Sequence, residues 1–172
     1  LPVRVDINPI PNSVTPIFIP ISPVCVGTLI ALPLVSTNGV SGTWSPAFNP
    51  NVTTNYTFTP NPGECATTAT MQVVITQIPT AIATPNSETI CSLQSTGISL
   101  SSSISATTFS WNSSPTNVSG DSSDTGNIIS QVLSTINDTS DGNVLYTITP
   151  TNNGCSGAPI SVTVYVTPIP RL

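Results

Sequence analysis

The chain has 172 residues, of which 5% are charged, and a formal net charge of −5 from two Lys+Arg, seven Asp+Glu and no His. The missing His excludes a Ser-His-Asp triad, a Cys-His pair and an imidazole metal ligand, and the missing Lys excludes a Schiff base and a P-loop lysine. Arg4 and Arg171 stand at opposite ends, so no basic patch can hold phosphates and no nucleic-acid partner is expected.

In chain order, residues 1–11 read as the last strand of a preceding repeat. Val3, Val5 and Ile7 alternate with polar residues before the stop Pro9-Ile10-Pro11. The first unit is expected over 12–79, with strands at Ile17–Ile21, Thr28–Leu32, Gly42–Ser45, Tyr56–Thr59 and Thr68–Thr76. Asn38-Gly39 and Asn61-Pro62-Gly63 supply turns. The most apolar stretch, Val24 to Val35, has 12 residues. A spanning helix needs about 20, so membrane insertion is not expected. The second unit is expected over 80–170, with strands at Ala81–Thr84, Ile98–Ser101, Thr108–Asn112, Ile128–Leu133, Val144–Thr149 and Ile160–Thr167. Its turns are Asp141-Gly142-Asn143 and Asn152-Asn153-Gly154.

Ser and Thr number 24 and 27, yet 38% of the chain is hydrophobic and the mean hydropathy is +0.25. Disordered chains are poorly hydrophobic and highly charged, so this one is expected to fold. Val and Ile alternating with Ser and Thr, and no helical period, predict an all-β chain.

An internal repeat organises the rest. Val162–Pro170 repeats Val3–Pro11, and Met71–Pro79 is a weaker copy. Between the copies, Cys25, Trp44, Tyr56 and Cys65 recur as Cys91, Trp111, Tyr146 and Cys155. Cys-to-Trp spacings are 19 and 20, and Tyr-to-Cys spacings are nine in both. Trp-to-Tyr spacings are 12 and 35, so the second unit carries a 23-residue insertion near Thr116–Asp138. Two small sandwiches cut from a longer tandem array are the reading. Small cores need staples, and two cysteines per unit predict the pairs Cys25–Cys65 and Cys91–Cys155, in an oxidising compartment. Trp44, Trp111, Tyr56 and Tyr146 are expected as core anchors.

The order Cys–Trp–Tyr–Cys resembles the immunoglobulin-like and PKD-like repeats of large surface proteins of Bacteroidota. Tyr146-Thr-Ile-Thr-Pro-Thr-Asn-Asn-Gly-Cys-Ser-Gly-Ala-Pro159, followed by Ile160-Ser-Val-Thr-Val164, is similar to the C-terminal half of a PKD-like module. Gly42-Thr-Trp-Ser-Pro46 and Tyr56-Thr-Phe-Thr-Pro-Asn-Pro-Gly-Glu-Cys65 are similar to adhesin repeats of gliding flavobacteria. The resemblance implies two tandem immunoglobulin-like (PKD-like) β-sandwich domains. It also implies export by the type IX route and display at the cell surface, as in gliding-motility adhesins of the SprB type. Tyr lies nine residues before the second Cys, not two as in antibody domains, so antibody disulfide geometry does not carry over.

Asp121, Asp124, Asp138 and Asp141 cluster in the second unit's insertion and form a candidate calcium site, since Ca²⁺ takes six to eight oxygens. No other cofactor is expected, and no catalytic pair of carboxylates stands out. The function expected is structural and adhesive: a segment of a long extracellular filament whose partners are neighbouring repeats and, beyond them, surface polysaccharide or other filament chains. Two alternatives stay open. One is a carbohydrate-binding module; the other is a filament subunit polymerising by strand addition through residues 1–10.

Overall fold

The computed structural model describes residues 13–169. The strand expected at 1–11, with Arg4, and Pro170, Arg171 and Leu172 lie outside the described residues. Among the described residues the regular structure is β, with no helix. The chain divides into two compact units, one ending at Ile75 and the other beginning at Thr76.

The first unit contains β1 (Val24–Cys25), β2 (Gly42–Ser45), β3 (Thr54–Pro60) and β4 (Ala69–Val73), and runs into β5 (Ile75–Thr76). β2, β3 and β4 form an antiparallel sheet in which Trp44 faces Phe58 and Tyr56 faces Met71. Alternation decides the buried face: Tyr56, Phe58, Met71 and Val73 point inward, and Thr57 and Gln72 between them point out. A second layer lies over this sheet, where Ile21, Val24, Val26, Ile30 and Leu32 pack on Tyr56, Val73 and Ile75.

Most of that second layer is not strand, which corrects the expectation at Ile17–Ile21 and Thr28–Leu32. Pro16, Pro20 and Pro23 remove the N–H groups a ladder needs. Asn38 substitutes for a neighbouring strand. Its Oδ1 accepts from Ile17 N at 3.1 Å, and its Nδ2 donates to Thr15 O at 2.9 Å.

The second unit opens with β6 (Ile82–Thr84), β7 (Ser87–Cys91), β8 (Gln94–Ser95), β9 (Ile98–Ser101) and β10 (Thr108–Thr116). The insertion then supplies β11 (Val118–Ser119), β12 (Asp124–Thr125), β13 (Ile128–Ile129) and β14 (Val132–Thr135). β15 (Gly142–Asn152), β16 (Cys155–Ser156) and β17 (Ile160–Thr167) close the unit.

One sheet runs β12-β10-β15-β17-β7, with β16 on β15. Facing it are the short sheets β13-β9-β6 and β11-β14-β8. Val144, Tyr146, Ile148, Val162, Val164 and Val166 from the large sheet meet Ile98, Leu100, Ile129 and Leu133 in one core. Nearly all of these side chains are fully buried, and the residues between them face outward.

The single strand expected over Ile128–Leu133 is broken at Ser130-Gln131. Thr96 causes the break. Its Oγ1 donates to Ile129 O at 2.9 Å and accepts from Gln131 N at 3.0 Å, while its own N–H reaches Gln131 O. The chain thereby leaves β9 as a partner and takes β8.

The direction of the chain through each unit follows from its outer strands. β7 and β17 are parallel, with Ser87 opposite Thr163 and Cys91 opposite Thr167. The chain comes in near Gln77, whose carbonyl accepts from Asn152 Nδ2 at 3.4 Å, and leaves past Thr167. Seven rises of about 3.3 Å separate Ile160 from Thr167, so the two ends are about 23 Å apart along β17. The first unit is wound alike. Val14 pairs in parallel with Ala66, and Val24 N donates to Val74 O at 3.0 Å. Each unit thus has a leading end, where the chain arrives, and a trailing end, where it departs.

Candidate functional site

The four cysteines divide between the two units, two in each. In the first unit Cys25 lies in β1 beside Val74, at the trailing end. Cys65 lies at the leading end, its carbonyl accepting from Val14 N at 2.9 Å. The path from Val14 to Cys25 runs parallel to 66–75, nine rises or about 30 Å at strand rise. In the second unit Cys91 ends β7 opposite Thr167, at the trailing end, and Cys155 pairs with Asn152 near the leading end.

This placement overturns the expected pairs Cys25–Cys65 and Cys91–Cys155. A disulfide needs Cα atoms within about 7 Å, and in each unit the partners sit at opposite ends of the closing strand. Cys25 and Cys155 are disulfide-bonded, whereas Cys65 and Cys91 are exposed free thiols. Cys25 and Cys91 lie at the trailing ends of their units, and Cys65 and Cys155 at the leading ends. Their spacing in sequence carries no information about which end of a strand each one occupies.

The four aromatic residues singled out by the repeat occupy different environments. Tyr56 and Tyr146 are fully buried, and Trp111 is buried with its Nε1 donating to Ser122 O at 3.1 Å. Trp44 is half-buried. It stacks with Phe18 and Phe58 at centroid distances of 4.7 and 5.2 Å, and its Nε1 donates to Pro33 O at 2.8 Å. Edge-on and tilted pairs of this kind are favourable beyond their area.

The hydroxyls of Tyr56 and Tyr146 each have a partner. Tyr56 accepts from Asn49 N at 3.0 Å, and Tyr146 donates to Gln131 Oε1 at 2.7 Å. Gln131 also takes Ser122 N at 3.1 Å and donates to Ser122 O at 2.8 Å. It therefore ties the insertion to the core, a role that nothing in its sequence neighbourhood announces. Burial pushes the Tyr146 phenol well above its ordinary range, and the negative charges of Asp121 and Glu88 push it the same way.

The candidate calcium site is not assembled. Asp124 faces Trp111, which puts it level with Ile148 on β15, while Asp141 directly precedes β15. About 20 Å of strand separates them. Asp124 Oδ1 instead accepts from the N–H of Thr125 at 2.8 Å, and Asp121 lies toward Tyr146. Among the described residues no group of three or more Cys, Asp or Glu is placed to hold a metal ion.

A hollow of about 260 Å³ opens at the trailing end of the second unit, lined by Ser92, Leu93, Ser134, Thr135, Asp138 and Ile169. Thr135 Oγ1 is buried there without a hydrogen-bond partner among the described residues. Ser92 Oγ accepts from Thr135 N at 3.1 Å. The hollow is lined by one carboxylate and three hydroxyls. Among the described residues no helix is long and apolar enough to cross a membrane.

No curated protein matches the chain. Residues 88–170, which comprise nearly all of the second unit's sandwich, match the family model of the PKD-like domain.

Proposed function

We propose that the chain is a structural and adhesive segment of a long extracellular filament, in which sandwich units follow one another as spacers. The observation that carries this reading is the placement of the chain's arrival and departure at opposite ends of the second unit. A unit wound in this way extends a string by its own length, which is what a quasi-one-dimensional array requires. The PKD-like match and the disulfide are compatible with an extracellular setting. The scarcity of charge leaves a surface of hydroxyls and amides that changes little with salt or pH.

Surface adhesion and gliding motility, with export by the type IX route, are the specific roles proposed. The partners are neighbouring repeats and, at the filament tip, surface polysaccharide. The length of the native polypeptide tests the array: many repeats support it, and a native chain of 172 residues removes it. Stretching the native protein singly should give evenly spaced unfolding steps, whereas one featureless extension contradicts folded spacers. Binding across a glycan array would move the function to a carbohydrate-binding module.

A further inference from the structure

The cysteines fall into two kinds by position. Cys25 and Cys91 are trailing-end residues; Cys65 and Cys155 are leading-end residues. Of the two disulfide-bonded cysteines, Cys25 is a trailing-end residue of its unit and Cys155 a leading-end residue of its own. The free thiols, Cys65 and Cys91, also comprise one of each kind, and both are exposed. The equivalents of both free thiols are thus oxidised within this same structure, which marks the two positions as disulfide positions.

We infer that Cys91 of one copy of this chain forms a disulfide with Cys65 of the next, a trailing-end thiol joined to a leading-end thiol. The inference rests on the tandem-array reading and adds a covalent cross-link between successive pairs of units. Each copy offers one thiol of each kind, so the contact is head-to-tail and does not close on itself. The oxidant is a small-molecule disulfide such as glutathione disulfide. The Cys91 thiolate attacks it, forms a mixed disulfide and releases one glutathione thiolate. The Cys65 thiolate of the second copy then attacks the Cys91 sulfur and releases the other. Two electrons pass to glutathione, and the two thiol protons end on the two glutathione thiols.

The test uses the full chain in a glutathione redox buffer, followed by non-reducing electrophoresis and peptide mapping. The wild type should form a ladder extending beyond the dimer. In a mixture of unlabelled and nitrogen-15-labelled protein, Cys65 peptides should be bridged to Cys91 peptides of the other label. Cys65→Ser and Cys91→Ser should each stop the ladder at the dimer. Mixing the two variants should give the heterodimer in clear excess over both homodimers. A statistical mixture of dimers, or a monomer that retains both thiols, overturns the inference. Thermal melts of the Ser variants and of the matching Ala variants verify that the chain still folds. The array reading is tested separately by alkylating the native protein before reduction. A long native polypeptide whose Cys91 is alkylated sinks the cross-link and leaves the array standing. A short native polypeptide sinks the array whatever its thiols do.

Discussion

Tyr146 shows how one hydroxyl ties core to insertion. Its ring is fully buried, and its O–H reaches Gln131 at 2.7 Å. Tyr146→Phe keeps the ring and loses the bond, so a loss of about 0.5–1.5 kcal/mol is expected in chemical denaturation. The raised phenol also gives a pH dependence. An unfolded tyrosine ionises near its ordinary value of about 10, and the folded one holds its proton to higher pH. The contribution is therefore fully present below about pH 10 and declines as pH rises beyond it. Melts between neutral pH and pH 11 should fall more steeply for the wild type than for Tyr146→Phe; parallel curves would contradict the assignment. Thr135 presents the opposite case. Its buried Oγ1 has no partner among the described residues, so Thr135→Val should be neutral or stabilising by up to about 1 kcal/mol. A loss comparable to an ordinary core hydroxyl deletion would reveal a partner.

At the scale of the element, β15 depends on Gly142. A Cβ there would lie 2.5 Å from Val118 Cγ2, 2.6 Å from Asn117 O and 2.8 Å from Thr116 O. Two of these atoms are backbone and cannot swing away, so Gly142→Ala should cost about 1–3 kcal/mol, with the loss visible in urea titration. The same residue marks what the sequence could reveal. Strict alternation made the β15 and β17 cores readable, because only one register buries Val144, Tyr146 and Ile148 together. The expected strands of β2 and β9 coincide with those observed, Gly42–Ser45 and Ile98–Ser101. Alternation misled at Ile17–Ile21, where prolines deny the ladder its donors. It was silent for β11, β12 and β16, which are two residues each and too short to show a period. The break at Ser130-Gln131 depends on a hydroxyl 34 residues earlier, Thr96, a distance no local pattern spans. The acidic residues illustrate the same limit: they are close along the insertion, and β15 holds them apart.

For the whole molecule, the repeat located equivalent residues without locating their partners. Cysteine equivalence is a statement about position within a unit, and bonding is a statement about which ends meet. A leading end is told from a trailing end by the parallel pairing of Val14 with Ala66 in the first unit and by the parallel run of β7 beside β17 in the second. The same run has a mechanical consequence. Tension applied between Ser87 and Thr167 drags β7 backward past Ser87 and β17 forward past Thr167. Ser87–Cys91 and Thr163–Thr167 are then loaded in shear, so the five rungs between them must rupture together and cannot unzip one at a time. Moving the pulling point to β15 should unload that ladder and lower the rupture force, because β15 would then peel from its neighbours bond by bond.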